Sequence, residues 1–491
     1  MIIATFDIGT TAVKGVVITE KGEILASASE NITTFFEDGR KEQEPEEWYE
    51  AFCRISKKFI AALGTNAIDG IIMSGQMQDV IAVDKNGKPV GRAILYSDGR
   101  AEEEAEELAG LLGREYLETV TGNSYDGSLP IPKLMWLKKH HPDQFCDIDK
   151  VLISAKDYIL LQLTGQAAGD VTACSTAGAM NIAEKCWDEK ILKRADISPL
   201  VMPELYYPHE IAGVVTRLGA EDSGYAEGTK VYAGIGDAGA TTLASGISGA
   251  GEYNINLGTS GWVASVSPET VRAEGGMFNL AAFEMGLYIN VVPFLNAGNV
   301  HQWVGRLFSA KEENIDYAYI NELLESSSPG SNGVVFLPYL NGERFPVLDE
   351  KVKGCYFGIT ADTDKRDMVR SSLEGVAYSI RQGIERIGTA PKKISVIGGG
   401  GRVGVWNQIL ADVLGKPVYV YKNSDVLPAL ALGASVCLVE GIIKNYSDFT
   451  DSLQDETQSV TYTPVNAHKA LYDRLYERYL GIYPMVKPFF K

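Results

Sequence analysis

The chain opens on short apolar runs broken by turn residues. Residues 2–6, 13–19 and 23–27 are β-rich, with Lys21-Gly22 between the last two, and predict a three-strand meander. Pro45 then opens a helix. Trp48, Phe52, Ile55, Phe59 and Ala62 recur at steps of four and three and make one apolar face, with Glu46 and Glu47 in the first turn, where the helix dipole favours acids. Residues 70–74 read as a short apolar strand, and residues 80–84 as another before a turn at Asn86-Gly87. The acidic run 102–107 reads as the solvated face of a surface helix.

The pattern restarts near the middle of the chain. Residues 231–235 predict a strand, Gly236-Asp237 a turn and 238–245 a helix of small residues; the Gly/Ser-rich stretch 246–251 reads as a domain boundary. A strand at 253–257, a Gly258-Thr259-Ser260 tip and a strand at 261–266 follow. FDIGTTAVKGVVI and NINLGTSGWVASV superimpose with Gly9-Thr10-Thr11 on Gly258-Thr259-Ser260, and AGIGDAGATTLASGI echoes DVLPALALGASVCLV in the same order. Two echoes in one order predict a duplicated domain with two hairpin tips facing one cleft.

Length and charge narrow the function. The 491 residues leave room for two or three domains, and 45% hydrophobic with 22% charged residues excludes a disordered chain. With 45 basic and 64 acidic residues the net charge is −19, which disfavours nucleic acid and anionic membranes as partners. No apolar stretch spans a bilayer and the start does not resemble a signal peptide, so a cytoplasmic protein is expected. The six cysteines show no metal or disulfide spacing and are expected to be buried free thiols, and the five dispersed histidines receive no chemistry.

Three segments carry chemistry. In Asp7-x-Gly9-Thr10-Thr11-x-x-Lys14 the glycine lets backbone amides approach phosphate oxygens, the threonines add hydroxyls, Lys14 adds a cation and Asp7 can hold Mg²⁺. An ordinary hairpin tip is the alternative, and the second copy at 258–260 favours a phosphate clamp. Gly398 to Gly401 follow an apolar run and suit a backbone that a ligand must approach, without a dinucleotide or P-loop signature. Asp237, before a small-residue helix, is either a general base or the N-cap of a helix starting at Ala238, or both.

At this point the residues resemble the FGGY carbohydrate kinases over essentially the whole length, with xylulokinases the most similar branch. Ser128-x-Pro130-x-x-Lys133-Leu134-x-Trp136-Leu137-x-Lys139-His140 fits the first family pattern. Gly354-x-Tyr356-x-Gly358-Ile359, with Asp367-Met368-x-x-Ser371-Ser372-Leu373-Glu374, fits the second. Shorter matches include Ser74-Gly75-Gln76-Met77, Ser97-Asp98-Gly99-Arg100 and Lys156-Asp157-Tyr158.

The resemblance implies an α/β protein of two actin-like ATPase domains built on RNase H-like sheets, residues 1–246 for the sugar and catalytic base and 247–491 for the nucleotide, with the active site in the cleft between them. It implies transfer of the γ-phosphoryl group of ATP to a sugar hydroxyl with Mg²⁺. It places Asp237 as the base and Asp7 at the metal. Thr10, Thr11, Lys14, Thr259, Gly298, Gln302, Gly399 and Gly400 fall on the nucleotide, and Gln76, Met77, Gln78, Asp98 and Arg100 on the sugar.

Two departures stand on the sugar side. Xylulokinases usually carry His where Gln78 stands and Asn where Ala238 stands, so D-xylulose is expected to be a weak substrate beside another pentulose, a polyol or a sugar acid such as gluconate. The competing class is an actin- or chaperone-like ATPase, against which the sugar-side segment argues. Monomer and homodimer both stay open.

Overall fold

The expected meander forms as strands Ile2–Ile8, Ala12–Thr19 and Ile24–Asn31, paired antiparallel in that order. The structure, a computed structural model, describes residues 1–37, 39–272, 276–309, 315–422, 426–453 and 459–490. Strand Gly70–Gly75 joins Ile2–Ile8 in parallel, Lys230–Tyr232 joins Gly70–Gly75 in parallel, and Ile211–Val214 closes the edge antiparallel. Numbering only the five strands of this core in chain order, the sheet runs 3-2-1-4-5, the RNase H-like arrangement.

The second half repeats this arrangement. Glu252–Leu257, Gly261–Ser267 and Tyr288–Phe294 form the meander, and Lys393–Ile397 and Val418–Tyr421 add in parallel, giving the same 3-2-1-4-5 core. Edge strands Phe278–Ala281 and Ser459–Tyr462 extend it. The duplication read from the two hairpin tips is therefore present. The echoed small-residue segments are the helices Asp237–Ala244 and Leu427–Val439, each following the fifth strand of its sheet.

These two helices pack against each other where the domains meet. Helix Leu427–Val439 has no polar stripe because it is covered on both sides. It belongs to an apolar cluster that also contains Ile3, Ile18 and Ile72 of the first sheet and Val266 and Ile289 of the second. Gly433 faces the Ile18 side chain where a Cβ would collide, so small residues let the helix approach the first sheet closely. Lys230 pairs with Glu440 across the same junction at 2.6 Å.

Some expectations shift. The strand foreseen at 231–235 is interrupted: Lys230–Tyr232 ends, Gly234 turns at φ 71, and Ile235–Gly236 resumes beside Gly70–Gly75. A side chain at position 234 would strike the Met73 carbonyl. Helix Pro45–Leu63 buries Trp48, Phe52, Ile55 and Phe59, but Ala62 lies beyond the core and is exposed. The acidic run begins helix Glu102–Leu112, yet Glu104 is 1% exposed and pairs with Lys139 at 3.2 Å, so that face is not wholly solvated. All six cysteines are free; Cys53, Cys174 and Cys437 are buried, while Cys146 and Cys186 are exposed rather than buried. Among the described residues no helix is long and apolar enough to cross a membrane.

Candidate active site

Parallel strand pairing brings the key residues to one edge. Asp7 stands opposite Ser74, and Ser74 opposite Ile235; one step on, Ile8, Gly75 and Gly236 are aligned. Asp237 lies just past the end of this row. Open α/β sheets bind ligands outside the carboxyl ends of their strands, and both acids sit there.

The first tip is tied back to the scaffold. Gly9 N–H donates to the Ala12 carbonyl at 3.1 Å, closing the hairpin. Thr10 Oγ1 donates to Gln76 Oε1 at 2.9 Å, Gln76 Nε2 donates to Gln43 Oε1 at 2.8 Å, and Gln43 Nε2 returns to the Thr10 carbonyl at 2.6 Å. Trp48 Nε1 completes the ring at Gln43 Oε1, 3.1 Å away. Gln76 is thus buried with both ends of its amide engaged, while the Thr11 and Lys14 side chains are exposed. Lys14 stands directly across the hairpin from Asp7.

The second tip braces a helix. The carbonyls of Gly258 and Thr259 accept from Gly298 N at 2.8 Å and Asn299 N at 3.0 Å, at the start of helix Gly298–Phe308. Gly298 lies so close to the Gly258 carbonyl that a Cβ would not fit. Gln302, one turn further on, is half-buried, and Thr259 is exposed. In the glycine run, Gly398 adopts φ 88 against Leu257, Gly399 faces open space, and Gly400 is buried where a Cβ would collide with Leu257 and Trp406. A cavity of about 220 Å³ lies between Thr241 and Ala244 of the Asp237 helix and Gly398, Gly399, Arg402 and Pro428 of the second domain.

Helix Asp237–Ala244 starts one residue earlier than foreseen. Gly236 is its N-cap, and Asp237 Oδ1 accepts from Ala238 N at 2.7 Å. Asp237 opens to the cleft, yet the cleft floor encloses it with protein on its other sides. That enclosure, and then the nearby Asp7 carboxylate, push its carboxyl up to about 7, while the Ala238 N–H pulls it down. Asp7 is likewise raised by burial, opposed by the Ser74 hydroxyl at 2.8 Å and by Lys14. Two raised carboxyls of like charge are the electrostatic environment a divalent cation relieves. Mg²⁺ is commonly held by one or two carboxylates completed by phosphates and water, and these two acids could serve so.

In the segment expected to meet the sugar, Met77 packs over Gly236 and Gln78 adopts φ 66, a left-handed conformation that costs a non-glycine residue about 1–2 kcal/mol. Asp98 is fully buried, accepting from Lys41 N at 2.7 Å and from Arg100 Nη2 at 2.6 Å. Arg100 also reaches Glu42 at 2.8 Å and lies 5.0 Å over the Trp136 ring. Lys133 was quoted in the family pattern but given no role in the sequence reading. It is buried, donates to the carbonyls of Leu95 at 2.8 Å and Gln78 at 3.3 Å, and burial lowers it to about 8. Ser128, equally unassigned, accepts from the Gln78 amide and in turn donates to Asp126. The one signal of Lys133 in the sequence is a single charge within the apolar run 129–137.

With this geometry in view, residues 2–244 match the N-terminal domain and residues 253–439 the C-terminal domain of the FGGY family of carbohydrate kinases. A xylulose kinase of Staphylococcus xylosus is 30% identical over 484 residues, 97% of this chain and 98% of that protein. A gluconokinase of Bacillus licheniformis is 29% identical over 87% of this chain and 86% of its own. The crystal structure of a xylulose kinase from Rhodospirillum rubrum superimposes with a TM-score of 0.91 at 27% identity, covering 100% of both chains.

Proposed function

This chain belongs to the FGGY family of carbohydrate kinases and phosphorylates a sugar with ATP, and on that premise we propose that Asp237 is the general base and that the substrate is a neutral polyhydroxylated sugar of the pentulose class. The observation that carries this reading is the convergence of Asp7 and Asp237 at one row of strand ends, beside the first of two repeated glycine-hydroxyl tips.

In the reaction, Asp237 accepts the proton of the sugar hydroxyl as that oxygen attacks the γ-phosphorus of ATP, and ADP leaves. Loose phosphoryl transfer needs mainly alignment and charge stabilisation, with the base orienting the nucleophile. Thr10, Thr11, Lys14 and the amides around Gly9 approach the phosphates from the first domain, and Thr259 from the second. Gln302, Gly399 and Gly400 border the nucleotide, with Gly298 fixing the second tip. Asp7 would hold Mg²⁺ with the phosphates, where the ion neutralises phosphate charge. Met77, Gln78 and Arg100 line the sugar, with Asp98 orienting Arg100 and Gln76 holding Thr10.

Asp237→Asn tests the base: sugar phosphorylation falls about 10²-fold or more while ATP still binds. ADP release measured over ketoses, polyols and aldonic acids tests the substrate. Retained turnover in Asp237→Asn removes the base role. Because Ala238 offers no side-chain hydrogen bond beside Asp237, D-xylulose is expected to rank below another member of the panel, and Gln78→His with Ala238→Asn to shift preference toward it by roughly 5- to 150-fold.

A further inference from the structure

We propose that Asp170 is a positioning residue for Asp237, clamped by Lys156; this rests on Asp237 being the base. Lys156, Asp157 and Asp170 are all fully buried. Lys156 Nζ lies 2.5 Å from Asp157 Oδ1 and 2.9 Å from Asp170 Oδ2. Asp170 Oδ1 accepts three backbone N–H groups: Thr172 at 3.0 Å, Ala173 at 3.0 Å and Gly236 at 3.3 Å. The first two cap the turn Val171–Cys174. The third comes from the residue immediately before Asp237.

A helix cap alone does not call for this cluster. Asp188 caps Glu189–Arg194 and Asp316 caps Tyr317–Glu325 from part-exposed positions, with no fully buried lysine behind them. Burying an ammonium with two carboxylates is costly, and hydrogen bonds made in such a dry site are correspondingly stiff. The cluster also touches everything that must stay in register with Asp237. The Thr172 methyl lies 3.0 Å from where a Cβ on Gly239 would sit, in the helix leading away from Asp237. Thr172 Oγ1 donates to the Ala281 carbonyl at 2.8 Å, and Ser175 Oγ accepts from Ala281 N at 2.8 Å, in the edge strand of the second sheet. At the other end, the Lys156 amide nitrogen is 2.9 Å from the Cβ position of Gly75, and Ala155 N donates to the Gln76 carbonyl at 3.4 Å, on the sugar-side segment. One buried ion cluster therefore braces the strand entering Asp237, the segment carrying Met77 and Gln78, and a contact with the other domain.

The experiment is a double-mutant cycle between positions 170 and 237, read in sugar phosphorylation, sugar-independent ATP hydrolysis and thermal unfolding. Asp170→Asn is expected to lower kcat for sugar phosphorylation about 10-fold or more, the scale of a small misplacement, with sugar-independent hydrolysis and the KM for ATP little changed. Added to Asp237→Asn, the same change is expected to cost no further rate, since nothing is left to position. Wild-type kcat in Asp170→Asn, or an equal proportional loss in both backgrounds, overturns the proposal. Should Asp170→Asn fail to fold, hydrogen exchange on the wild-type protein decides. The Gly236 amide is expected to be protected like the Thr172 amide, and loop-like exchange at Gly236 overturns the proposal. An active Asp237→Asn marks failure of the base reading; an inactive Asp237→Asn beside a fully active Asp170→Asn marks failure of the brace alone.

Discussion

Gln78 Nε2 donates to Ser128 Oγ at 2.8 Å, and this one bond fixes which way the Gln78 amide faces. Ser128 has a single hydroxyl proton and donates it to Asp126, so its oxygen can only accept from Gln78. One amide N–H is spent, so the carbonyl oxygen and the second N–H remain for a ligand. Lys133 and Arg100 are already engaged with backbone carbonyls and with Asp98 and Glu42. The position accordingly suits a hydroxyl, which can donate to the carbonyl and accept from the N–H, over a carboxylate, which can only accept.

Aldonic acids should therefore be poor substrates. A carboxylate there leaves the Gln78 carbonyl without a donor, at about 1–3 kcal/mol, so kcat/KM for gluconate is expected to fall about 10-fold or more below that of the best neutral sugar. Ser128→Ala, which frees the amide to rotate, should narrow the gap. Side-by-side kinetics on gluconate and ketoses check this, and comparable values for the two classes would sink it.

As the proposed base, Asp237 would set a pH dependence. A base works as its carboxylate, so kcat/KM should decline as pH drops through about 7, the level to which enclosure and Asp7 push this carboxyl. Stability runs the other way. The folded value lies above the unfolded 3.8, so the protonated native form is favoured; that stabilisation is complete below about pH 4 and is lost as pH rises through about 7. Asp237→Asn resembles the protonated state, and should raise the unfolding temperature more at pH 8 than at pH 5. A flat kcat/KM between those pH values, with equal unfolding shifts, would contradict both statements.

What the sequence disclosed and withheld follows from range. The Gly9-Thr10-Thr11 and Gly258-Thr259-Ser260 tips were legible because each is a local hairpin and the two are copies. The place of Asp237 at a strand end was legible from the glycine before it. Gln76 was placed on the sugar side, but its amide closes a ring with Thr10 and Gln43, a partnership set by residues 66 and 33 positions away. Asp170 and Lys133 passed unnoticed because their partners come from other segments and a lone acid or lysine in a chain has no periodicity. Glu104 read as one of a solvated row for the same reason; only the packing of helix Pro130–His140 buries it and supplies Lys139.

The second family pattern has a structural explanation that predicts stability rather than catalysis. Glu374 accepts from Arg370 Nε at 2.7 Å, Tyr472 OH at 2.8 Å, Gly330 N at 2.9 Å and Ser331 Oγ at 2.8 Å, all within the second domain. Arg370→Met would leave that buried carboxylate without its cation, at about 3–5 kcal/mol. Chemical denaturation should show the loss while kcat of the folded protein is unchanged. A cost below about 1 kcal/mol would mean that the hydroxyls and amides suffice without the guanidinium.

Closure is the remaining expectation. The two tips belong to different domains, so grasping ATP and sugar together requires the cleft to shut. Contacts between the domains that could serve as the pivot lie at the edge strand Phe278–Ala281. Asn123 Nδ2 donates to the Asn279 carbonyl at 2.9 Å, Asn279 N donates to Asn123 Oδ1 at 2.7 Å, and Ala281 is held by Thr172 and Ser175. These bonds join the first domain to the backbone of the second at one edge, which suits a pivot, whereas Thr11 and Thr259 are exposed and free to approach. Small-angle scattering should show a smaller radius of gyration with sugar and a non-hydrolysable ATP analogue together than with either alone. Asn123→Ala should weaken the pivot, raising the KM values for both substrates while leaving the unfolding of each domain largely unchanged. If the radius of gyration stays constant under saturating ligands, the tips do not close on the substrates and the clamp must be assembled from one domain at a time.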